Sequence, residues 1–355
     1  MSLAELGIEY KSVAAAPVAT VRRTFSDRGQ LRAILAEVKS VVPRELIAGP
    51  GFCRFLWVTS VRDGFDGEVG FPVIHAFDNA EVRCQILPSM SVLSLMHHGP
   101  PETLRNSQRL LYGTAASLGI ISDEFMCEVY PDQDNPQGQS IEIQFVVHDW
   151  IALFRKHSCR VLGHKAGACL TAGSDRLTPD SGVDARFDWV KAAMERLPSF
   201  ADAHQQFDAL SSSAHVYPHD QVDKLKNVFE QARRNTGDPL LAVDAVLDFM
   251  AADPGWGQRP HRDGRVIFST KQPRDPATFA AASSKLERAR AYCFCPLVRT
   301  RLEDGMPANF CNCGAGWFRQ QWEGAFSRPV YVEIVESLLR GDERCTFAIH
   351  LPDDL

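Results

Sequence analysis

Three glutamates, Glu68, Glu128 and Glu142, stand in strand-like stretches beside aromatic residues. Residues 141–150 alternate at period two, with Ile141, Ile143, Phe145 and Val147 on one side and Glu142, Gln144 and Val146 on the other. Glu128 and Tyr130 share a side of 124–131, and Phe55 shares one with Trp57 in 52–60. Each glutamate is expected opposite its strand's apolar face. If these faces line one cleft, carboxylates stand among rings. Such a site attracts a cation, because excluded water strengthens Coulomb attraction and a ring face adds about 0.5–2 kcal/mol. Burial also raises a carboxylate's pKa, so Glu128 or Glu142 could act as a general base with Tyr130 as a hydrogen-bond donor. The plain alternative is that the glutamates face solvent. His97 and His98 open the second helical stretch and could line the same cleft.

A second group is the cysteines: Cys293-Phe-Cys295, Cys311-Asn-Cys313 and, further on, Cys345. In extended chain, residues two apart project to one side, so the two pairs could present four thiolates to a tetrahedral zinc. The usual zinc spacing has two intervening residues, so packing as small apolar groups is an equal claimant and a nucleophilic or redox cysteine a lesser one. His215 and His219 have metal-like spacing, but Pro218 between them argues for a loop.

The elements that must position these residues are written twice. Glu68-Val-Gly-Phe-Pro-Val73 is echoed by Glu142-Ile-Gln-Phe-Val-Val147. A helix is predicted over 30–42 from Leu31, Ile34, Leu35, Val38 and Val42, and a second over 102–118 behind Pro101. Strands at 52–60 and 65–73 follow the first, and strands at 124–131 and 139–148 follow the second. The fold class is therefore α+β: two pseudo-repeated strand–helix–strand–strand modules with a seam between them, then a helical part and a small Cys-rich α/β part. The domains read as 1–155, a Gly/Ser/Asp/Pro-rich linker at 156–185, and 186–355, with helices at 187–197, 220–233, 240–250, 279–292 and 317–326.

The Glu68–Val73 stretch, the His98-Gly-Pro-Pro-Glu102 helix entry, Glu128-Val-Tyr130 and Glu142–Val147 resemble the GyrI-like small-molecule-binding domain, the effector-binding domain of AraC- and MerR-type regulators. The resemblance spans residues from about 5 to 150. It implies a ligand cleft between the modules, often for lipophilic cations, and some relatives are hydrolases. The candidate residues for that cleft are Phe55, Trp57, Glu68, His98, Glu128, Tyr130 and Glu142, of which the resemblance favours Glu128 and Glu142 and, less, Glu68. No helix-turn-helix precedes the domain here, so a ligand-binding protein without its own DNA-binding part is expected. Cys313-Gly-Ala-Gly-Trp317, Trp322-Glu323, Pro329-Val330, Gly341-Asp342 and Cys345-Thr-Phe347 make the chain from about residue 295 onward similar to the end of four-vinyl-reductase-type sensing domains and of L-2-amino-thiazoline-4-carboxylic acid hydrolase-like proteins. Sensing domains carry a Glu and two Cys as zinc ligands. Cys345 fits the last of these, but Ile334 and Ser337 occupy the other two places.

Composition narrows the classes. At 355 residues with 45% apolar and 23% charged content, the chain has the make-up of a globular protein of two domains. A net charge of −6 without a Lys/Arg run argues against nucleic acid. No apolar run is long enough to span a bilayer, and Glu5 and Glu9 stand where a secretory leader would be basic and then apolar. A cytoplasmic location is expected, with the ten cysteines as thiols or metal ligands rather than disulfides. Three functions stay open: binding of a small apolar or cationic molecule, hydrolysis of a reactive one by a cleft glutamate without a cofactor, and a scaffold that docks partners. The oligomeric state is not legible. Zinc is the one cofactor the residues raise.

Overall fold

The repeated pattern becomes two matching halves of one sheet. The computed structural model describes residues 3–355 apart from 28, 58–64, 119, 132–139, 178–180, 216 and 218, and apart from the side chains of 56, 57, 101, 116, 121–125, 219, 220 and 254. The chain divides into two units, Met1–Asp149 and Trp150–Leu355. The first contains β1 (Ile8–Val13), β2 (Ala16–Phe25), α1 (Gly29–Val41), β3 (Gly51–Trp57), β4 (Phe65–Pro72), β5 (Arg83–Leu87), β6 (Met90–His98), α2 (Leu104–Ser117), β7 (Ile121–Tyr130) and β8 (Ser140–Val147).

The sheet order is β1-β6-β8-β7-β3-β4-β2-β5. The repeats are β2-α1-β3-β4 and β6-α2-β7-β8, and they join through antiparallel pairing of β3 with β7. Each leading strand crosses to the other repeat, since β1 pairs with β6 and β5 with β2. Ala14-Ala15 alone links β1 to β2, and Pro88-Ser89 links β5 to β6. In a flat sheet those strands would lie about 30 Å apart, and a two-residue link reaches only about 10 Å. The sheet must therefore curl, and it forms an antiparallel half-barrel. Gly70 in β4 shows how tightly it does so. A Cβ there would lie 2.0 Å from the Ala19 carbonyl oxygen.

One face of this sheet is covered by the helices. Leu31, Leu35 and Val38 of α1 and Leu104, Leu111 and Ala115 of α2 form one core with Val69, Phe71, Leu93, Leu95 and Ile143. The other face carries a smaller apolar group, Val18, Phe52 and Cys127, with Leu87 and Val129 packed against it.

The second unit contains α3 (Trp150–Leu162), α4 (His164–Leu170), α5 (Gly182–Arg196), α6 (Ala203–Ser211), α7 (His219–Thr236), α8 (Pro239–Ala251), β9 (Gln258–Asp263), β10 (Val266–Lys271), α9 (Pro276–Ala281), α10 (Lys285–Tyr292), α11 (Asn312–Phe326), β11 (Tyr331–Glu336) and β12 (Thr346–His350). Its sheet runs β11-β12-β10-β9, all antiparallel. α11 lies on this sheet, with Phe318 and Trp322 packed into one core with Ile267, Val332, Phe347 and Ile349. A buried polar chain crosses that core: Ser269 Oγ donates to Gln258, Gln258 Nε2 to Gln321, and Gln321 Nε2 to the Met250 sulfur.

Three expectations change here. The stretch 156–185 holds the end of α3, all of α4 and the start of α5, with Leu170 fully buried, so its residues up to 170 are packed helix rather than a linker. A Cβ at Gly167 would lie 2.5 Å from the Cys159 Cα. Its small residue serves a close helix–helix approach, not flexibility. The predicted helix over 279–292 is two helices, the second opened by a capping box on Ser284. α11 begins at Asn312, five residues before its predicted start, which matters for the cysteines. Among the described residues no helix is long and apolar enough to cross a membrane.

Candidate functional site

Sheet register decides which glutamates can share a ligand. In antiparallel pairing, directly opposed residues lie on one face. Glu128 opposes Cys53 and Ile143, which belong to the helix-covered core. Glu142 opposes Met96 and Val129, and Glu68 opposes Arg54 and Arg22, all on the reverse face. The single cleft expected from the sequence is thus divided. Phe55, Glu128 and Tyr130 lie on the helix side, and Glu68, His98 and Glu142 on the other. Glu128 was expected opposite its strand's apolar face, but both sides of 126–130 carry apolar residues, so alternation alone misplaces it.

On the helix side, Glu128 is 0% exposed. Gln108 of α2 donates to its Oε1 at 2.9 Å, and the Tyr130 hydroxyl donates to Oε2 at 2.7 Å. The neighbouring α2 residue, Ser107, hydrogen-bonds His97 Nδ1 at 3.0 Å, and His97 is itself buried. Phe55 is 1% exposed and meets Phe25 and Phe65 edge-on. It is a buried core residue on the same face of the sheet as Glu128. The Trp57 side chain lies outside the described residues.

On the reverse face, Lys11 pairs with Glu142 at 2.5 Å, and Ser94 and Gln144 also donate to it. Burial pushes this carboxyl up, but those hydrogen bonds and the Lys11 charge outweigh it and hold the pKa below its ordinary 4.5. Glu68 is held by Arg54 at 3.0 Å and Gln85 at 3.2 Å. Burial first, and then the charges of Glu128 and Glu142, push the Cys127 thiol up to about 12 against Arg54's opposing charge. His98 is exposed and shares a hydrogen bond with Ser140.

The cysteines do not form the predicted tetrahedron. Cys311 and Cys313 sit in helical backbone, where residues two apart diverge instead of projecting together. The Ser337 hydroxyl donates to the Cys311 sulfur at 3.0 Å, and the Trp150 indole donates to Cys313 at 3.3 Å. Burial raises the thiols of Cys293, Cys295, Cys311, Cys313 and Cys345. They are small protonated groups at neutral pH. Among the described residues no three His, Cys, Asp or Glu side chains are grouped to hold a metal ion. His215 is pushed down to about 4, by burial and then by the charge of Lys271. The His219 side chain lies outside the described residues.

Sequence reasoning missed Gln108, Lys11, Arg54 and Lys271. Gln108 had a signal, since it interrupts the Leu104, Leu111 and Ala115 stripe of α2 with a polar residue. Lys11 and Arg54 meet their glutamates only through strand pairing, which no local pattern reveals.

No protein-family model matches the chain, and no curated protein does. Solved structures resemble part of it. The EcmrR C-terminal domain matches at 20% identity over 39% of this chain and 96% of that chain, with a TM-score of 0.34. EcmrR in its DNA-bound transcription complex matches at 20% over 39% and 56%, with a TM-score of 0.35, so this chain spans little more than half of it. SAV2435, solved with tetraphenylphosphonium, matches at 11% over 39% and 93%, with a TM-score of 0.30.

Proposed function

We propose that the N-terminal unit binds a small apolar or cationic molecule beneath α2, at Glu128. The observation that carries this is a carboxylate with no exposure on the apolar side of the sheet, toward which Gln108 and Tyr130, both neutral, donate. Apolar side chains of similar volume often replace buried ionic groups at no loss of stability, so a carboxylate kept in such a place points to use. Glu142 fits less well, because Lys11 already neutralises it. A cation beneath α2 would meet the Glu128 carboxylate in a water-poor site.

Calorimetric titration of the full chain with tetraphenylphosphonium and with a neutral aromatic of similar size tests this. Glu128→Gln should weaken the cation at least about tenfold, roughly 1.4 kcal/mol, and Glu142→Gln less than about threefold. Equal binding by wild type and both variants would remove Glu128 from the account. Turnover of a reactive ester by wild type but not by Glu128→Gln would favour the hydrolase.

A further inference from the structure

The C-terminal unit holds a cation that its own fold does not neutralise. Alternation along β10 puts Ile267, Ser269 and Lys271 on one face, the face that α11 covers, and Phe347 of β12 opposes Ser269. Ile267 and Ser269 are buried there. Lys271, the last residue of the strand, carries its ammonium along the same face to the edge of the core. Three rings surround it, with centroids 5.4 Å (Phe294), 5.6 Å (Phe318) and 5.7 Å (Phe347) from Nζ. Its backbone is pinned on both sides. The Lys271 N–H donates to the Cys345 carbonyl at 3.1 Å, and the Lys271 carbonyl accepts from the Tyr292 hydroxyl, whose oxygen accepts the Cys345 N–H.

Among the described residues no carboxylate lies within ion-pair distance of Lys271, and its ammonium donates no hydrogen bond. Glu336, on β11, is already engaged by Arg344 and Thr346. The groups that feel the Lys271 charge are the thiols of Cys295, Cys311, Cys313 and Cys345 and the ring of His215. Those thiols are raised and that imidazole is lowered, so all five are neutral near pH 7. Ring faces attract an ammonium but give its N–H groups no strong acceptor. Gly314 packs closely here, since a Cβ would stand 3.3 Å from the tip of Phe347 and 4.0 Å from Nζ. Phe294 is 47% exposed, so one wall of the site faces solvent.

We infer that Lys271, walled by Phe294, Phe318 and Phe347, is a binding site for a small aromatic monoanion, its carboxylate on the ammonium and its ring against Phe294. A monoanion follows from the single ammonium held against the three rings and from ring and thiol surroundings that solvate a dianion poorly. The aromatic body follows from the exposed ring, which offers an apolar face at the site's mouth. This site is built from the second unit alone, and the inference does not depend on the reading of Glu128.

Titration of the full chain with 1-naphthoate, and with 1-naphthylmethanol as its neutral counterpart, tests the inference. Wild type should bind the acid at least about tenfold more tightly than the alcohol. Lys271→Met and Lys271→Gln should both abolish that preference while leaving the alcohol unchanged, and Lys271→Arg should retain it within about threefold. Near-UV circular dichroism checks that each variant is folded; should Lys271→Met fail, Lys271→Gln keeps the polar stem and decides the matter. Naphthoate bound equally by wild type and Lys271→Gln, or no more tightly than naphthylmethanol by wild type, would overturn the proposal.

Discussion

Glu68 and Glu142 each have a basic partner within 3.0 Å, Arg54 and Lys11, and Glu128 has two neutral donors closed around it. Lys271, in the second unit, has rings and thiols about it and, among the described residues, no counter-ion. The two units thus treat enclosed charge differently. A charge matched inside the fold is part of the structure, and removing its partner exposes the cost of burying it. A charge the fold leaves unmatched contributes little to stability and is available to an outside group.

The same chemical change tests the contrast in both places. Arg54→Met leaves Glu68 enclosed without its guanidinium and should cost about 3–5 kcal/mol in denaturant unfolding of the full chain, since the paired side chains are only 14% and 12% exposed. Lys271→Met breaks no ion pair and should cost less than about 1 kcal/mol. Similar losses in the two variants would erase the distinction.

Acid should also separate the units, in different pH windows. His215 in the second unit has a folded pKa of about 4 against an ordinary 6.5. Between these values the unfolded chain takes up a proton that the folded one refuses, so stability falls as pH drops from about 6.5 to about 4. The loss approaches about 3 kcal/mol, and His215→Gln should flatten it. Glu142 in the first unit has a folded pKa below its ordinary 4.5. Its contribution is complete above that ordinary value and disappears as pH falls through the lower folded one. Glu142→Gln should therefore lower stability by a constant amount above about pH 4.5, and its difference from wild type should shrink as pH falls below that value. Urea midpoints measured from pH 7 to 3 would show both windows, and a variant whose difference from wild type varies in the other's window would contradict the assignment.

The smallest effect is the most direct. The Lys271 charge helps to depress His215. The His215 ring titration followed by NMR should move upward in Lys271→Met, by a fraction of a pH unit. No movement would mean that the ammonium does not act on this ring as placed.

Much of the first unit was legible because its pattern is local. The Glu68–Val73 and Glu142–Val147 echo marks β4 and β8, which hold equivalent places in the two halves, and the Leu31 and Leu104 stripes mark α1 and α2. Period and propensity act over a few residues, so the α+β class and the doubled module follow from the chain alone. Gly167 and Cys313 were misread for the opposite reason. A small residue looks the same in a loop and at a helix crossing, and two cysteines look paired until helical backbone turns them apart.

The sequence by itself determined that Glu128 and Glu142 lie on strands, that two amphipathic helices repeat with those strands, and that Cys293, Cys295, Cys311, Cys313 and Cys345 gather near the C-terminal end. Only the tertiary structure decided which face each carboxylate occupies and which partner it meets. Lys11 reaches Glu142 because β1 crosses to the far repeat. Lys271 has no ion-pair partner among the described residues because β12, α11 and the stretch after α10 bring Phe347, Phe318 and Phe294 around it. Those outcomes depend on strand register and on contacts between residues far apart in the chain, which a one-residue shift in pairing would reverse and no local pattern records.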